Sequence, residues 1–382
     1  QKKNFENVLH KIEDKITKLD EIKNFLLLER VNFIKTKNKK IIHISTFDER
    51  NNHRLYNISL SNKITKGFLR NGHDVINFSY RNYLNPINRN NTDKINDTIY
   101  EISKNYKPDL IILGHNNVLS FKNIERIKSN NNTKFILWYE DALSKKAEGP
   151  SWKSNLDLIE KNNDLIDSYF TTTHPNNIIG TNIKKSKLNF LPMLVDENIE
   201  NLKFYKYKSK FKDLFFGLSH GVNFGKLKKN KFDEREIFLN KLFDYNDSKK
   251  LDLKFNILGI ANQNPKWNYE FYNEVIKCKM ALNLSRGSAI KYSTSNRIAS
   301  LVANGVYTFI DKKTKFDDFF NDEEMGFYSN HDDLSNKIHS LKNDPKKYLK
   351  FAQNGAKRYF DLFNSKLVAK YIIDRSYNLD DD

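Results

Sequence analysis

The sequence predicts an α/β protein in which two Rossmann-like, doubly wound domains face each other across a cleft, preceded by a helical extension. From residue 39 onward, short β-branched runs alternate with amphipathic helical patterns, which is typical of parallel sheets covered by helices. A chain of 382 residues with 28 Phe and 19 Tyr is large enough for two cores. The alternation stops in a polar stretch after Val195, so four parts are predicted: 1–38, 39–195, 196–363 and 364–382.

The first part is predicted to be helical. Between Leu9 and Leu26, apolar residues recur at steps of three and four, with Lys and Glu between them. Three interpretations stay open. The helix packs on the body, which is the default, or it pairs two copies as a homodimer through a short coiled coil, or its lysines lie on an anionic membrane surface.

The second part begins with the buried-type strand KIIHIST. Asn71 and Gly72 end its first helix, and Pro192 interrupts its last strand. Strands are predicted at residues 40–46, 73–80, 109–113, 134–139, 168–172 and, with a connection, 189–195, and helices at 59–70, 92–105, 123–129 and 155–163.

The third part repeats this alternation, and the fourth is a single helix at 366–377 that is expected to pack back on the second part. Gly305 follows Asn304 where the glycine after a helix belongs. The one cysteine, Cys278, is predicted on a helix with Phe271 and Val275, as a buried inert thiol. Strands are predicted at residues 213–218, 254–258, 280–284 and 306–310, and helices at 234–243, 268–277, 293–302, 332–341 and 345–363.

The formal charge is +18, from 65 Lys and Arg against 47 Asp and Glu. Such a field attracts nucleotide phosphates, nucleic acid or an anionic membrane, although a lysine-rich surface also serves solubility alone. No apolar run reaches about 18 residues, so no spanning helix is predicted. No signal peptide is visible. We therefore expect a cytoplasmic protein, with at most peripheral contact at the inner face of the membrane.

Residues 279–311 combine a strand, a polar loop, a helix and a second strand, and they carry the strongest functional signal. The free N–H groups and the positive dipole end of a helix N-terminus favour phosphate. Hydroxyl groups and a guanidinium beside them strengthen such a site. The candidate anion-binding residues in this stretch are Arg286, Ser293, Ser295, Asn296 and Arg297.

A second loop, with Gly217, Gly221, Gly225 and Lys226, resembles a phosphate-binding loop loosely. It is neither GxGxxG nor a P-loop, so a dinucleotide-binding domain is not supported. Two interpretations of this loop stay equally open: it brings backbone near a diphosphate, or it is a plain turn between a strand and a helix. The nine His have no ligand spacing and there is no Cys pair, so no metal site is predicted.

Acid–base candidates follow the strands of the second part, because ligands bind at the carboxyl ends of parallel strands. Asp48 and His53 follow the first strand, and Asp141 comes directly after KFILWYE. His115 and Glu140 are further options. A catalytic base has to reach an acceptor hydroxyl, and a solvated or capping carboxylate is the plain alternative for each Asp.

The third part resembles the carboxyl-terminal domain of the CgeB-like (spore-maturation-protein-like) glycosyltransferases, which have the GT-B fold. The resemblance covers roughly residues 255–369 and rests on KCKMALNLS, KYSTSNRIASLVANGVYTFID and FFNDEEMGFYSNHDDLSNKI. Residues 189–196 resemble the segment between the two domains of these enzymes. The positions that match the pattern are Asn283, Tyr292, Ser293, Arg297, Ala303, Gly305 and Asp311.

The resemblance implies a hexosyltransferase-type glycosyltransferase of the kind that builds cell-envelope polysaccharide. It would move a sugar from a UDP- or GDP-sugar to a glycan, lipid or protein acceptor, without a metal or a cofactor. The donor diphosphate would lie against residues 293–297, and Arg286 or Lys226 would neutralise charge. The residues that the resemblance and the loops assign to the donor site are Gly217, Lys226, Asn283, Arg286, Tyr292, Ser293, Ser295, Asn296 and Arg297.

Two alternatives stay open. Many GT-B enzymes bind ribose or sugar hydroxyls through a Glu near the donor helix, and no Glu occurs between Met280 and Asp311. This departure favours a non-catalytic anion-binding or scaffold protein of the same fold. The charge of +18 favours a nucleic-acid-binding protein.

Overall fold

The described chain forms two parallel β-sheets. A computed structural model describes residues 38–47, 59–84, 92–115, 118–148, 151–218, 234–260, 263–285 and 287–377. The first sheet contains β1 Lys40–Ser45, β2 Asp74–Ser79, β3 Leu110–Gly114, β4 Lys134–Tyr139, β5 Ser168–Thr171 and β6 Leu188–Phe190. The second contains β7 Lys212–Gly217, β8 Phe255–Leu258, β9 Cys278–Asn283, β10 Tyr307–Asp311 and β11 Gly326–Tyr328.

The two sheets share one strand order. The first runs β2-β1-β3-β4-β5-β6 and the second runs β8-β7-β9-β10-β11, with every pairing parallel. In each sheet the chain adds its second strand on one side of the first strand and its third on the other. Ligands of such sheets bind where this reversal leaves a crevice at the carboxyl ends of the strands. The two crevices lie between β1 and β3 and between β7 and β9.

Helices cover both faces of the sheets. They are α1 Leu60–Arg70, α2 Thr92–Tyr106, α3 Phe121–Asn130, α4 Lys145–Glu148, α5 Ser151–Glu160, α6 Glu234–Ser248, α7 Asn268–Val275, α8 Asn296–Val302, α9 His331–Leu341, α10 Pro345–Phe363 and α11 Ser365–Tyr377. Side-chain caps fix several of their starts: Ser59 accepts a hydrogen bond from the Asn62 N–H, and Asp344 accepts one from Lys347.

The strands are apolar on both faces because both faces are covered. In β1, Ile42 and Ile44 belong to one buried cluster while Ile41 belongs to the cluster on the opposite face. This second cluster also takes in residues of α1 and α11. A continuous apolar strand such as KIIHIST therefore predicts a parallel sheet more reliably than an alternating one would.

The chain passes between the two sheets twice, and the passages lie side by side. Val195 and Asn364 form a parallel β-bridge, with hydrogen bonds from Val195 N to Phe363 O and from Ser365 N to Val195 O. Beyond this bridge, α11 packs against α1 on the first sheet. Gly67 permits the close approach, since a Cβ there would overlap the Ser365 carbonyl oxygen.

The predicted fold class of two doubly wound α/β domains is confirmed, and most predicted elements appear within a few residues of their expected bounds. The helical placement of Cys278 is wrong. Helix α7 ends at Val275, and Cys278 opens β9, where burial raises the pKa of its thiol to about 12. Strand β11 was not predicted, because its three residues are too few for a periodic signal. The helical extension predicted for residues 1–38 lies almost wholly outside the described residues.

Candidate functional site

Arg297 sits at the crevice of the second sheet. Its guanidinium donates to Gly217 O at the end of β7 (2.7 Å) and to Leu284 O just after β9 (3.4 Å). It also lies 5.1 Å from the ring centroid of Phe216, a cation–π contact. Arg297 thus joins the two strands that border the crevice, and it holds a fixed positive charge there.

Asn283, the last residue of β9, anchors the loop that leads into α8. Its buried side chain donates to Thr294 Oγ1 (3.1 Å) and accepts from Ser295 Oγ (3.4 Å). Ser295 stands at the N-cap of α8 without a side-chain capping bond, and its hydroxyl also accepts from Arg297 (3.3 Å). The predicted donor-site residues Asn283, Ser295 and Arg297 therefore form one hydrogen-bonded group with Gly217.

Tyr292 lies in an apolar cluster between the two sheets. Its ring is buried against His174, Phe190 and Phe319, and its hydroxyl donates to Asp318 (2.9 Å). Its φ of +59° is unusual for a residue with a side chain. The geometry gives Tyr292 a packing contact between the sheets, and it turns the chain so that Ser293 and the following residues reach the start of α8.

Helix α8 is shorter than the sequence pattern predicts. It begins at Asn296 and spans seven residues, whereas the prediction began at residue 293. Residues 293–295 lie outside the helix, and Ser295 has extended backbone angles (φ −113°, ψ 162°). The Asn296 side chain accepts a hydrogen bond from Lys63 Nζ (3.2 Å), which comes from α1 on the first sheet.

Lys63 is a residue that the sequence reasoning missed. It belongs to the i, i+3, i+4, i+7, i+8 stripe of α1 and is completely buried, although the other members of the stripe are apolar or glycine. The sequence signal that could have revealed Lys63 is a lysine within an otherwise apolar helical stripe. The members of the stripe are Leu60, Lys63, Ile64, Gly67 and Phe68.

A His and two carboxylates occupy the corresponding edge of the first sheet. His115 follows β3 with a φ of +56°, and its Nε2 lies 3.3 Å from Asp141 Oδ2 and 3.5 Å from Glu140 Oε1, both just after β4. The Asp141 side chain is 51% exposed, against about 30% for His115 and Glu140. This group places an imidazole and two carboxylates within reach of a molecule in solution.

Chain segments that follow the strands of the two sheets come into contact beside His115, Glu140 and Asp141. Ser288 N donates to Lys146 O on α4 (2.7 Å), and Asn177 Nδ2 donates to Lys291 O (3.2 Å). Gly287 has a φ of +67°, and a Cβ there would lie 2.5 Å from Ala147 O. The loop after β9 therefore reaches the chain segment that follows Asp141, and glycine is required for its close approach.

His43 lies in β1, which borders the first crevice, and its buried side chain belongs to a hydrogen-bond network. Trp138 Nε1, which is a donor, lies 2.9 Å from His43 Nε2, so that nitrogen accepts. His43 Nδ1 consequently carries the proton and donates to Thr65 Oγ1 (2.9 Å), which donates to Asn77 Oδ1 (2.9 Å). Burial lowers the pKa of His43 to about 3, so its ring is neutral.

Four predicted site residues, Asp48, His53, Lys226 and Arg286, lie outside the described residues. Within the described part of the chain, no three His, Cys, Asp or Glu side chains form a group that could hold a metal ion. No described helix is both long and apolar enough to cross a bilayer.

Comparisons with known proteins concern one segment of the sequence and the overall fold. Residues 235–374 match a family model described as glycosyl transferase-like. Curated protein sequences give no match to the chain. The solved structure of Anabaena HepE in complex with UDP and glucose is similar with a TM-score of 0.51 and 11% identity, covering 89% of this chain and all of that one. The structure of sucrose-phosphate synthase from Thermosynechococcus elongatus is similar with a TM-score of 0.51 and 10% identity, covering 89% of this chain and 99% of that one.

At these identities the structural likeness concerns the fold. Two Rossmann-like domains arranged as in these structures give the GT-B fold, as the resemblance implied. The family-model match covers nearly all of α6, helices α7 to α10 and strands β8 to β11, which make up most of the second domain. It also covers most of α11, which packs on the first sheet.

Proposed function

We propose that the protein is a glycosyltransferase that moves a sugar from a nucleoside-diphosphate sugar to a hydroxyl acceptor. The observation that carries the proposal is Arg297, a guanidinium fixed at the crevice of the second sheet. It stands in a segment that matches a glycosyl transferase-like family model. The GT-B fold, shared with a protein whose structure contains UDP and glucose, supports the same function.

The second sheet would bind the donor. A diphosphate against residues 293–297 would meet the Arg297 charge, the Ser293 and Ser295 hydroxyls and the first N–H groups of α8. Negative charge on the diphosphate grows as the bond to the sugar breaks. Donors placed in advance where charge develops stabilise that transition state, and in this proposal they do so without a metal.

The first sheet would activate the acceptor. In the step we propose, the acceptor oxygen forms a bond to the anomeric carbon, the bond from that carbon to the diphosphate breaks, and the acceptor proton moves to the Asp141 carboxylate. His115, 3.3 Å from Asp141, would orient the carboxylate and share the proton. The diphosphate leaves with the electron pair of the broken bond.

The finer assignments belong to the same proposal. A hexose, with UDP or GDP as the carrier, fits the resemblance to CgeB-like enzymes and the UDP in the HepE structure. The acceptor would be a glycan, lipid or protein hydroxyl in the cytoplasm. The net charge of +18 would draw a nucleotide sugar toward the protein.

The test is a panel of UDP-, GDP- and ADP-sugars, with and without EDTA, read by nucleotide release and by thermal shift. Binding at 100 times Kd should add about 2.7 kcal/mol of stability. Turnover that survives EDTA supports the full proposal. Binding without turnover across a broad acceptor panel favours the non-catalytic alternative. If no nucleotide binds and a random oligonucleotide does at about 50 mM salt, the nucleic-acid alternative replaces it.

A further inference from the structure

Residues 202–211, the basic–aromatic segment, cross the edge of the second sheet at which its strands begin. Phe204 N donates to Asn304 O just before β10 (2.7 Å), and Phe211 N donates to Lys277 O just before β9 (3.1 Å). The Phe204 side chain is buried in a core cluster of the same domain. The segment is therefore fixed at the amino ends of the strands, whereas the crevice of this sheet lies at their carboxyl ends.

The exposed side chains of the segment combine large hydrophobic groups with lysines. Eight large hydrophobic side chains are exposed among the described residues, and three of these belong to the segment. Those three are Leu202 (37% exposed), Tyr207 (51%) and Phe211 (60%). The lysines exposed between them are Lys203, Lys206 and Lys208. Single exposed hydrophobic residues are ordinary, but a concentration within ten residues marks an interaction surface.

The three lysines leave a positive charge at this edge. Two carboxylates nearby, Asp213 and Glu274, are bound by Lys279 (2.7 Å) and Lys277 (2.9 Å) respectively. In the part of the chain that the structure describes, no carboxylate lies within ion-pair distance of the three ammonium groups of the segment. The surface thus suits a partner that is negatively charged and that also accepts apolar side chains.

Helix α10 continues the basic surface beside the segment. Lys350, on its exposed side, and Lys203 line an open cavity of about 460 Å³. Lys357 also lines the cavity and pairs with Asp361 (2.7 Å) on the helix surface. Glu200 contributes a carboxylate to the lining, but that carboxylate is paired with a buried lysine of α1. The cavity is large enough for a phosphate headgroup and has lysines to bind it.

We propose that the basic–aromatic segment and the adjoining face of α10 form a docking surface for an anionic lipid bilayer. Lysines are attracted to the negative potential of such a bilayer. Leucine and aromatic side chains enter the boundary between headgroups and acyl chains. Leu202 has no ring on which a base could stack, which favours lipid over nucleic acid as the partner. The proposal adds to the proposed function and does not depend on it.

The experiment measures how the full chain binds phosphatidylcholine vesicles with and without about 30% phosphatidylserine, by sedimentation at about 0.1 M salt. The wild-type protein should bind the anionic vesicles and bind the neutral ones much more weakly. The basic variant carries Lys203→Gln, Lys206→Gln and Lys208→Gln. It should bind the anionic vesicles about 100-fold more weakly, because each lysine near the surface contributes about fivefold.

A matched control removes the same charge from the first domain. It carries three exposed substitutions on α2 and α3, which are Lys94→Gln, Lys104→Gln and Lys122→Gln. Binding should change by less than about threefold, because salt screens charges that lie away from the bilayer. Equal losses in the basic variant and the control would overturn the proposal, since net charge alone would then be responsible.

Tyr207→Ser/Phe211→Ser tests the apolar part and keeps the test informative if the basic variant does not fold. Both side chains are exposed, so the melting temperature should stay unchanged while binding to anionic vesicles falls about tenfold. Nucleotide affinity should be unchanged in this variant and in the basic variant, because the segment lies away from the crevice. A parallel loss of nucleotide affinity would overturn the proposal.

Two further results would overturn it. One is a wild-type protein that does not bind the anionic vesicles. The other is a random oligonucleotide that binds while the vesicles do not, with the basic variant weakening that binding, because the surface would then serve nucleic acid. Neither result bears on nucleotide-sugar turnover, so failure of this proposal and failure of the proposed function are distinguishable.

Discussion

The two sheets have the same strand order, but the side chains at the carboxyl ends of their strands differ in charge. The edge of the first sheet carries His115, Glu140 and Asp141, an imidazole and two carboxylates whose side chains are partly exposed. The edge of the second carries Arg297, which is bound to backbone carbonyls on both sides of its crevice. We name these the proton-handling edge and the anion-holding edge after the roles that we propose for them, and the residues that follow each strand make the difference.

The largest expected effect is on the proton-handling edge. Asp141→Asn should lower the turnover of a sugar nucleotide by about 10²- to 10⁴-fold, because the amide cannot accept the acceptor proton. Nucleotide affinity should stay unchanged. Initial-rate kinetics and nucleotide titration measure the two quantities. Asp157→Asn, at an exposed ion pair in the same half, is the matched control, and equal losses in both variants would remove Asp141 from the mechanism.

The next effect is on the anion-holding edge. Arg297→Lys keeps the charge but loses the planar fork that reaches Gly217 O and Leu284 O together. We expect nucleotide affinity to fall by about 10- to 100-fold, equivalent to about 1.4 to 2.8 kcal/mol. Calorimetric titration measures it. Arg358, on α10, makes a comparable guanidinium bond to the Phe319 carbonyl oxygen (3.0 Å), and Arg358→Lys should leave affinity unchanged.

A smaller effect concerns the contact between the edges. Gly287→Ala would place a methyl group 2.5 Å from Ala147 O and should separate the loop from α4. We expect about 1 to 3 kcal/mol of lost stability, as for other overpacked sites, together with reduced turnover. Gly180→Ala is the control, since Gly180 has a similar φ of +73° and no atom within 4 Å of the added Cβ. Equal effects in the two variants would mean that backbone strain alone is responsible.

The last effect changes neither edge: it is a dependence of stability on pH through His43. Its pKa is about 3 in the folded protein and about 6.5 in the unfolded chain, so between these values the unfolded state binds more protons. Its contribution to stability is complete above about pH 6.5 and declines, by up to about 1.4 kcal/mol per pH unit, as the pH falls toward 3. Nitrogen NMR should find a neutral ring protonated at Nδ1 at pH 5. A doubly protonated ring there would contradict the network with Trp138.

The strands and helices follow from local patterns, and the sites depend on pairings that local patterns do not contain. KFILWY predicts β4 without further information, but Asp141 meets His115 because β3 and β4 align with Gly114 opposite Trp138. Lys63 interrupts an apolar stripe, which marks it as unusual, yet its partners Glu200 and Asn296 are distant in sequence. Sequence could thus predict the fold class and the stretch containing Arg297, but not which side chains meet.

The side-by-side passages at Val195 and Asn364 also have a consequence for the order of folding during synthesis. The core of the first sheet includes Val368, Tyr371 and Ile373, which a ribosome adds after the entire second sheet. The earlier half must therefore wait, with an apolar face exposed, until the later half has been made. An arrested chain ending near residue 363 should bind chaperones or aggregate more than one extended past residue 377. The last step of folding would then complete the first sheet, although its strands are made first.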